Sequence, residues 1–283
     1  MHTVTWPDGA RAPALALGTW RLGEQTSRRA AEVAALRDAF ELGYRLVDTA
    51  EMYGDGGAET VVGDALAQAL RAGTLARDDV TIVSKACPQH AGARSLPAAC
   101  ESSLKRLRVD HLDLYLLHWR GSVPLAETVA AMQRLRERGR VRRWGVSNFD
   151  VTDMDELLDA GGHACATNQV WYSLGQRGVE FDLLPWQRHR GMPLMAYCPI
   201  DQGALARHAK LAPLAERRRA TPAQLALAWV LKQPGVIAIP KAGSTEHLRL
   251  NLDAARLALG ADDLAALDRL FPPPRSKRPL AMT

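Results

Sequence analysis

Lysine is scarce in this chain. Of its 36 basic residues only six are lysine, at positions 85, 105, 210, 232, 241 and 277. The two basic side chains are not interchangeable: a guanidinium keeps its proton throughout the working pH range, whereas lysine is a compact ammonium whose pKa answers to its surroundings. A lysine kept in an arginine-rich chain therefore marks a place where its chemistry matters. Cysteine is scarce too, at 87, 100, 165 and 198, with no CxxC pair and no accompanying histidine cluster. That excludes a zinc site and a disulfide framework, and free thiols suit a reducing cytoplasm. No apolar stretch approaches the roughly 18 residues of a membrane span, so no membrane partner is expected. The opening MHTVTWPDGARAP has neither the charged start nor the apolar run of a secretory signal.

A strong basic field is also missing. The formal charge is +5, and the densest basic run is only Arg217–Arg219. A nucleic-acid binder concentrates its charge on one face, so no nucleic-acid partner is expected. A mild positive balance does help to recruit a phosphorylated small molecule. Composition shows no exposed apolar helix that demands a partner, so a monomer is the default.

What the chain does have is alternation. Its 283 residues suit one α/β barrel, typically about 250 residues long. Short apolar runs occur at Ala16–Trp20, Leu46–Ala50, Val80–Lys85, Leu112–His118, Arg142–Asn148, Thr167–Tyr172, Pro193–Pro199 and Val236–Lys241. They read as strands. Between them lie helical patterns at Ser27–Leu42, Ala58–Arg71, Leu96–Arg108, Leu125–Arg138, Val151–Ala160, Asp182–Arg190, Pro222–Lys232 and Glu246–Ala258. Thr221-Pro222 is a helix start, a capping residue followed by Pro at the first helical position. Gly139 and Gly191 stand where helices stop. Nearly all-apolar strands such as LDLYLLH suit a parallel sheet covered on both faces. Eight strand–helix units predict a (β/α)8 TIM barrel in a single domain, 1–283. Thr3–Pro13, centred on Pro7-Asp8-Gly9, reads as an N-terminal β-hairpin cap, and Ala261–Phe271 as an extra C-terminal helix.

In such barrels chemistry sits at the C-terminal ends of the strands. The apolar runs here end in Asp48-Thr49, Ser84-Lys85, His118, Ser147-Asn148, Tyr197-Cys198 and Lys241, and the sixth carries Asn168-Gln169. A single polar strand end is more often structural than functional, but seven coincident ones point to a shared rim. Two of the six lysines, Lys85 and Lys241, are among them.

These residues fall in stretches that resemble the aldo-keto reductases: GYRLVDTAEMYGDG at 43–56, VSK at 83–85, LDLYLLHW at 112–119, GVSNF at 145–149, TNQVWY at 167–172, MAYCP at 195–199 and IPKAGSTEHLRLN at 239–251. Each piece is weak alone; their combination and order are specific. The best likeness is to the bacterial branch that includes methylglyoxal reductases. The resemblance implies an NADPH-dependent reductase, with NADH as the alternative carrier, a small-molecule carbonyl substrate and no metal. By motif it implies a catalytic tetrad of Asp48, Tyr53, Lys85 and His118. It implies that Ser147, Asn148 and Gln169 hold the nicotinamide carboxamide, that Tyr197 stacks on the ring, and that Pro199–Gly203 covers the pyrophosphate. It further implies that Lys241 meets the adenosine 2′-phosphate. The implied cofactor shell also takes in Thr19, Trp20, Cys198, Ile200, Gln202, Ile239, Pro240, Ala242, Gly243, His247 and Asn251. Trp20, Met52 and Trp119, beside Tyr53 and His118, would line the substrate pocket.

The chemistry agrees with that assignment. Reducing a carbonyl needs hydride at carbon and a proton at oxygen. A phenol is a slow acid at neutral pH, with an ordinary pKa of about 10, and a neighbouring ammonium favours its ionised form. Asp48 would keep Lys85 charged and aimed, and His118 would hydrogen-bond the substrate oxygen. Three departures weaken the phosphate contacts. Cys198 replaces the usual serine, and a thiol is the poorer donor. Ala242 removes a hydroxyl. His247 stands in place of a permanently charged guanidinium. The short Arg120–Pro124 loop predicts a shallow pocket for small aldehydes or dicarbonyls such as methylglyoxal.

Three rival readings arise. A Schiff-base aldolase would use Lys85 as its nucleophile, but it needs no cofactor platform. A P-loop or Rossmann reading of Gly54-Asp55-Gly56-Gly57 fails because Glu59 occupies the third glycine position and no GKS/T follows; a flexible turn into the next helix is expected there. A non-catalytic or slowly catalytic NADPH-sensing regulatory subunit would keep the same residues.

Overall fold

A computed structural model describes residues 2–282. In chain order the strands are β1 (Thr3–Thr5), β2 (Arg11–Pro13), β3 (Leu17–Gly18), β4 (Leu46–Asp48), β5 (Thr81–Ala86), β6 (Leu112–Leu117), β7 (Val141–Ser147), β8 (Cys165–Trp171), β9 (Leu194–Tyr197) and β10 (Val236–Ile239). The helices are α1 (Arg29–Glu41), α2 (Gly57–Arg71), α3 (Ser95–Leu107), α4 (Leu125–Glu137), α5 (Val151–Asp159), α6 (Leu183–His189), α7 (Ala212–Arg217), α8 (Pro222–Leu231), α9 (Thr245–Ala254) and α10 (Ala261–Leu270). The chain divides into two compact units. One comprises Leu17–Thr167 with Lys241–Thr245; the other runs to Ala16, resumes over Asn168–Pro240 and continues from Glu246.

In the first unit β3 to β7 pair in parallel, each with its successor in sequence. Each crossover is a helix, and α1 to α5 pack side by side in the same order. Every residue of β6 is buried, as a parallel strand covered on both faces requires. That includes Asp113 near its N-terminal end, which accepts from Arg77 Nη2 and from the Ile82 amide, both at 2.9 Å. A buried carboxylate so fully partnered at the foot of the strands is structural. Asp150 caps α5 and is bonded in return by the Asp153 carboxylate at its own amide.

In the second unit β1 and β2 form the expected antiparallel hairpin. Its turn is closed by Trp6 N to Ala10 O at 2.8 Å, with Gly9 at φ +85°. Strands β8, β9 and β10 pair in parallel, and Leu15 bridges to Ala238 beyond them. Thr221 and Gln224 form the capping box of α8, with Pro222 at its start. Arg177 lies over the Trp229 ring and pairs with Glu180 and Asp268, which ties α10 to the rest of this unit. Among the described residues no helix is long and apolar enough to cross a membrane.

Several boundaries differ from those expected. The run Ala16–Trp20 contributes only Leu17–Gly18 as strand, because the chain turns at Thr19, whose carbonyl accepts from Leu22 N. The helix expected to open at Ser27 begins with a 3-10 turn, Thr26–Arg28, before α1. The helix expected to reach Ala258 ends at Ala254. The short α7, with Pro213 in its first turn, lies where no element was expected. The glycine cluster at 54–57 is a turn into α2, but a tightly packed one. A Cβ added to Gly57 would sit 2.4 Å from the Gly23 carbonyl oxygen, so these glycines let two backbones touch.

Candidate active site

The site grows out of the register between β4 and β5. Asp48, the last residue of β4, stands opposite Val83, which leaves Lys85 two residues further along β5. Two bonds carry the pairing past the end of β4: Thr49 N to Val83 O at 2.9 Å and Glu51 N to Lys85 O at 3.3 Å. The following turn, Tyr53 N to Ala50 O at 3.1 Å, brings the Tyr53 phenol back over the strand ends. Lys85 is completely buried. Its ammonium donates to Asp48 Oδ2 at 2.7 Å, to the Thr49 carbonyl at 2.8 Å and to Tyr53 Oη at 3.2 Å. Those are all the donors an ammonium has.

Burial alone would strip Lys85 of its proton, but the negative charge of Asp48 and the Tyr53 oxygen outweigh it, and its pKa is raised. His118, one residue beyond β6, is buried against the same group. Its ring centroid lies 5.7 Å from that of Tyr53, edge to face. Burial, and then the positive charge of Lys85, push the His118 pKa down to about 2, so the imidazole is neutral under all ordinary conditions. Its Nδ1 is buried and meets no hydrogen-bond partner among the described residues.

The other candidates in this unit surround that core. Asn148 adopts φ +60°, and its side chain donates to the His118 carbonyl and to Ser147 Oγ, both at 3.1 Å. Trp119 lies 4.9 Å from the His118 ring. Trp20 is half-buried under the Arg21 guanidinium, 4.4 Å away, and Met52 is exposed. Thr19 has a local duty: its hydroxyl and its amide both bond the Asp48 carbonyl at 3.0 Å, which fixes the residue that aims Lys85. Lys241 bridges in parallel to Gly18, followed by buried Ala242 and by Gly243, which has open space around it.

The remaining candidates belong to the second unit. Gln169 is buried in β8, paired in register with Met195. Tyr197 stands opposite Trp171, ring centroids 6.3 Å apart. Cys198 has φ +49°, and burial raises its pKa to about 11, so the thiol stays protonated. Beyond Pro199 and Ile200, Asp201, Gln202 and Gly203 all have positive φ, an unusual run for non-glycine residues. Asp201 pins the loop by accepting from Trp171 Nε1 at 2.9 Å and from Ser173 Oγ. Ile239 ends β10 and Pro240 follows it; His247 is exposed in the first turn of α9, and Asn251 lies within that helix.

The sequence reading missed Glu51. Its carboxylate accepts from the Cys87 amide at 2.6 Å and lies 2.8 Å from His90 Nδ1. It ties the turn that carries Tyr53 to the segment after β5. Only its place between Asp48 and Tyr53 offered a signal.

Comparison with known proteins identifies the family. The model of the aldo/keto reductase family matches residues 14–271. The methylglyoxal reductase YeaE of Escherichia coli K12 is 49% identical over 276 residues, 95% of each chain. Among solved structures, an aldo/keto reductase from Klebsiella pneumoniae in complex with NADP and acetate is 51% identical, covers 99% of both chains and superposes with a TM-score of 0.93. An aldo-keto reductase from the same organism in complex with NADPH is 50% identical over the whole of both chains, again with a TM-score of 0.93.

Proposed function

The chain belongs to the aldo/keto reductase family and has its (β/α)8-barrel fold, and from that premise we propose that it reduces small aldehydes and dicarbonyls to alcohols with NADPH. One observation carries the catalytic reading: a buried chain of hydrogen bonds, Asp48 to Lys85 to Tyr53, beside a neutral histidine. The residues present fit a phosphorylated dinucleotide, since around Lys241 the positive charges of Arg28 and Arg21 outweigh the carboxylates of Glu32 and Glu24. When bound, NADPH supplies the hydride to the carbonyl carbon.

The protein's share is the proton and the placement. Tyr53 donates its phenolic proton to the carbonyl oxygen as that oxygen gains negative charge. The Lys85 ammonium, 3.2 Å from the phenolic oxygen, stabilises the phenolate that remains. Asp48 and the Thr49 carbonyl hold the ammonium at that distance. Acid catalysis of this kind contributes about 10²–10⁴ in rate. Neutral His118 orients the substrate oxygen by a hydrogen bond and brings no competing charge. Ser147, Asn148 and Gln169 would hold the carboxamide, Tyr197 the ring face and Lys241 the 2′-phosphate. Trp20, Met52 and Trp119 would line the substrate side. The name of the Escherichia coli relative supports methylglyoxal and similar dicarbonyls as substrates.

The Schiff-base alternative meets a physical obstacle. A nucleophilic amine must lose its proton, and Lys85 is held charged with every N–H engaged. An intact proton-donating chain likewise favours turnover over mere NADPH sensing. The family model spans both structural units, which supports a single domain. Four free cysteines support a reducing, cytoplasmic setting, and we take the protein as a monomer there. Steady-state NADPH oxidation with a panel of aldehydes and dicarbonyls tests the proposal. Fast turnover of small dicarbonyls is expected; a strong preference for bulky steroid ketones would overturn the substrate assignment.

A further inference from the structure

Ala242 and His247 leave Lys241 short of help for a phosphate, and the structure holds a cation that can supply it from another element. The segment Lys241–Thr245 is fastened at both ends. Lys241 bridges to Gly18, and Thr245 Oγ1 donates to Asp38 on α1. It therefore runs from the end of β3 to α1, the two elements joined by the stretch that carries Arg21 and Arg28. The Arg21 guanidinium is laid over Trp20. Arg28 closes the 3-10 turn that leads into α1, and its side chain is exposed. The contrast with the next residue is informative: Arg29 pairs with Asp64 at 2.6 Å, a carboxylate it shares with Arg108, whereas Arg28 and Lys241 form no salt bridge among the described residues. After partial desolvation, Arg28 and then Arg21 are the charges that most depress the Lys241 pKa, ahead of the opposing Glu32 and Glu24. Of those two acids, Glu32 is already engaged by the Gly23 amide at 2.8 Å. Cations that outweigh the nearby carboxylates repel one another, and a dianionic phosphate relieves that repulsion.

We propose that Arg28 is a specificity-determining residue for the cofactor, gripping the adenosine 2′-phosphate jointly with Lys241. The inference rests on the NADPH reading above. A guanidinium pairs with phosphate through a permanent charge and a planar fork of donors, so Arg28 takes the part that a hydroxyl at 242 and a guanidinium at 247 would otherwise play.

The test is equilibrium binding, read by protein fluorescence, of NADPH, NADH, 2′,5′-ADP and 5′-AMP to the wild type and to Arg28→Ala, with Arg29→Ala as the neighbouring control. Arg28→Ala should weaken NADPH and 2′,5′-ADP by about tenfold or more and leave NADH and 5′-AMP unchanged; Arg29→Ala should preserve the preference. Equal weakening of NADPH and NADH, or none of either, would overturn the assignment to Arg28. A wild type that binds NADPH and NADH equally would overturn the underlying cofactor reading instead, whatever the variant does.

Discussion

The Lys85 ammonium stands 2.7 Å from the Asp48 carboxylate, with side-chain exposures of 0% and 4%. Two charges so far from water are tolerated only because each satisfies the other and because the Thr49 carbonyl and Tyr53 take the remaining bonds of the ammonium. Removing one partner of a buried pair strands the other and costs about 3–5 kcal/mol. Lys85→Met and Asp48→Asn should each lower the urea unfolding free energy by that order. The double variant should lose clearly less than the two single losses combined, since it leaves no isolated charge. Additive losses would mean that the two side chains are not coupled as the geometry shows.

His118 makes the acid side of the stability curve a second test. Its folded-state pKa, about 2, lies below that of an unfolded histidine, about 6.5. Between those values the unfolded chain binds a proton that the folded protein refuses. Stability should therefore fall as pH drops below about 6.5, by at most ~1.4 kcal/mol per pH unit from this residue, and should not respond to it above that. In His118→Gln the slope of unfolding free energy against pH between 6 and 4 should be shallower by close to one proton. An unchanged slope would show that His118 accepts a proton in the fold.

Glu51 should act on the reaction by positioning Tyr53. In Glu51→Ala the Cys87 amide and His90 lose their partner, and the turn that carries the phenol is released from the segment after β5. We expect kcat to fall about tenfold while the NADPH dissociation constant stays within about twofold, because loss of alignment costs rate more than binding. Glu51→Gln keeps an oxygen that can accept from Cys87 N and should recover part of kcat. A change confined to KM would contradict this role.

Much of this was legible in the sequence, for physical reasons. Lys85 stood out because arginine had been used almost everywhere else, and Asp48, His118 and Ser147-Asn148 because polar residues end apolar strands. The alternation of strand and helix was clear because parallel strands covered on both faces must be apolar throughout. What stayed hidden depended on backbone geometry or on residues remote in sequence. The positive φ of Asn148 leaves no trace in composition. That the Thr19 hydroxyl donates to the Asp48 carbonyl had no sign in the sequence. Glu51 looked like one loop carboxylate among many until β5 brought Cys87 and His90 to it. Arg28 was one arginine among many in a helical pattern, and nothing in the sequence ties it to Lys241, on whose charge it acts in the fold.

Carbonyl reduction by this protein depends on the Tyr53 phenol as the proton source. The most direct measurement is methylglyoxal-dependent NADPH oxidation by wild type and by Tyr53→Phe, with NADPH affinity titrated in the same preparations. Phenylalanine keeps the ring and removes only the acid, so NADPH binding should persist while kcat drops by about 10²–10⁴. A Tyr53→Phe enzyme that turns over like the wild type would contradict the mechanism at its centre.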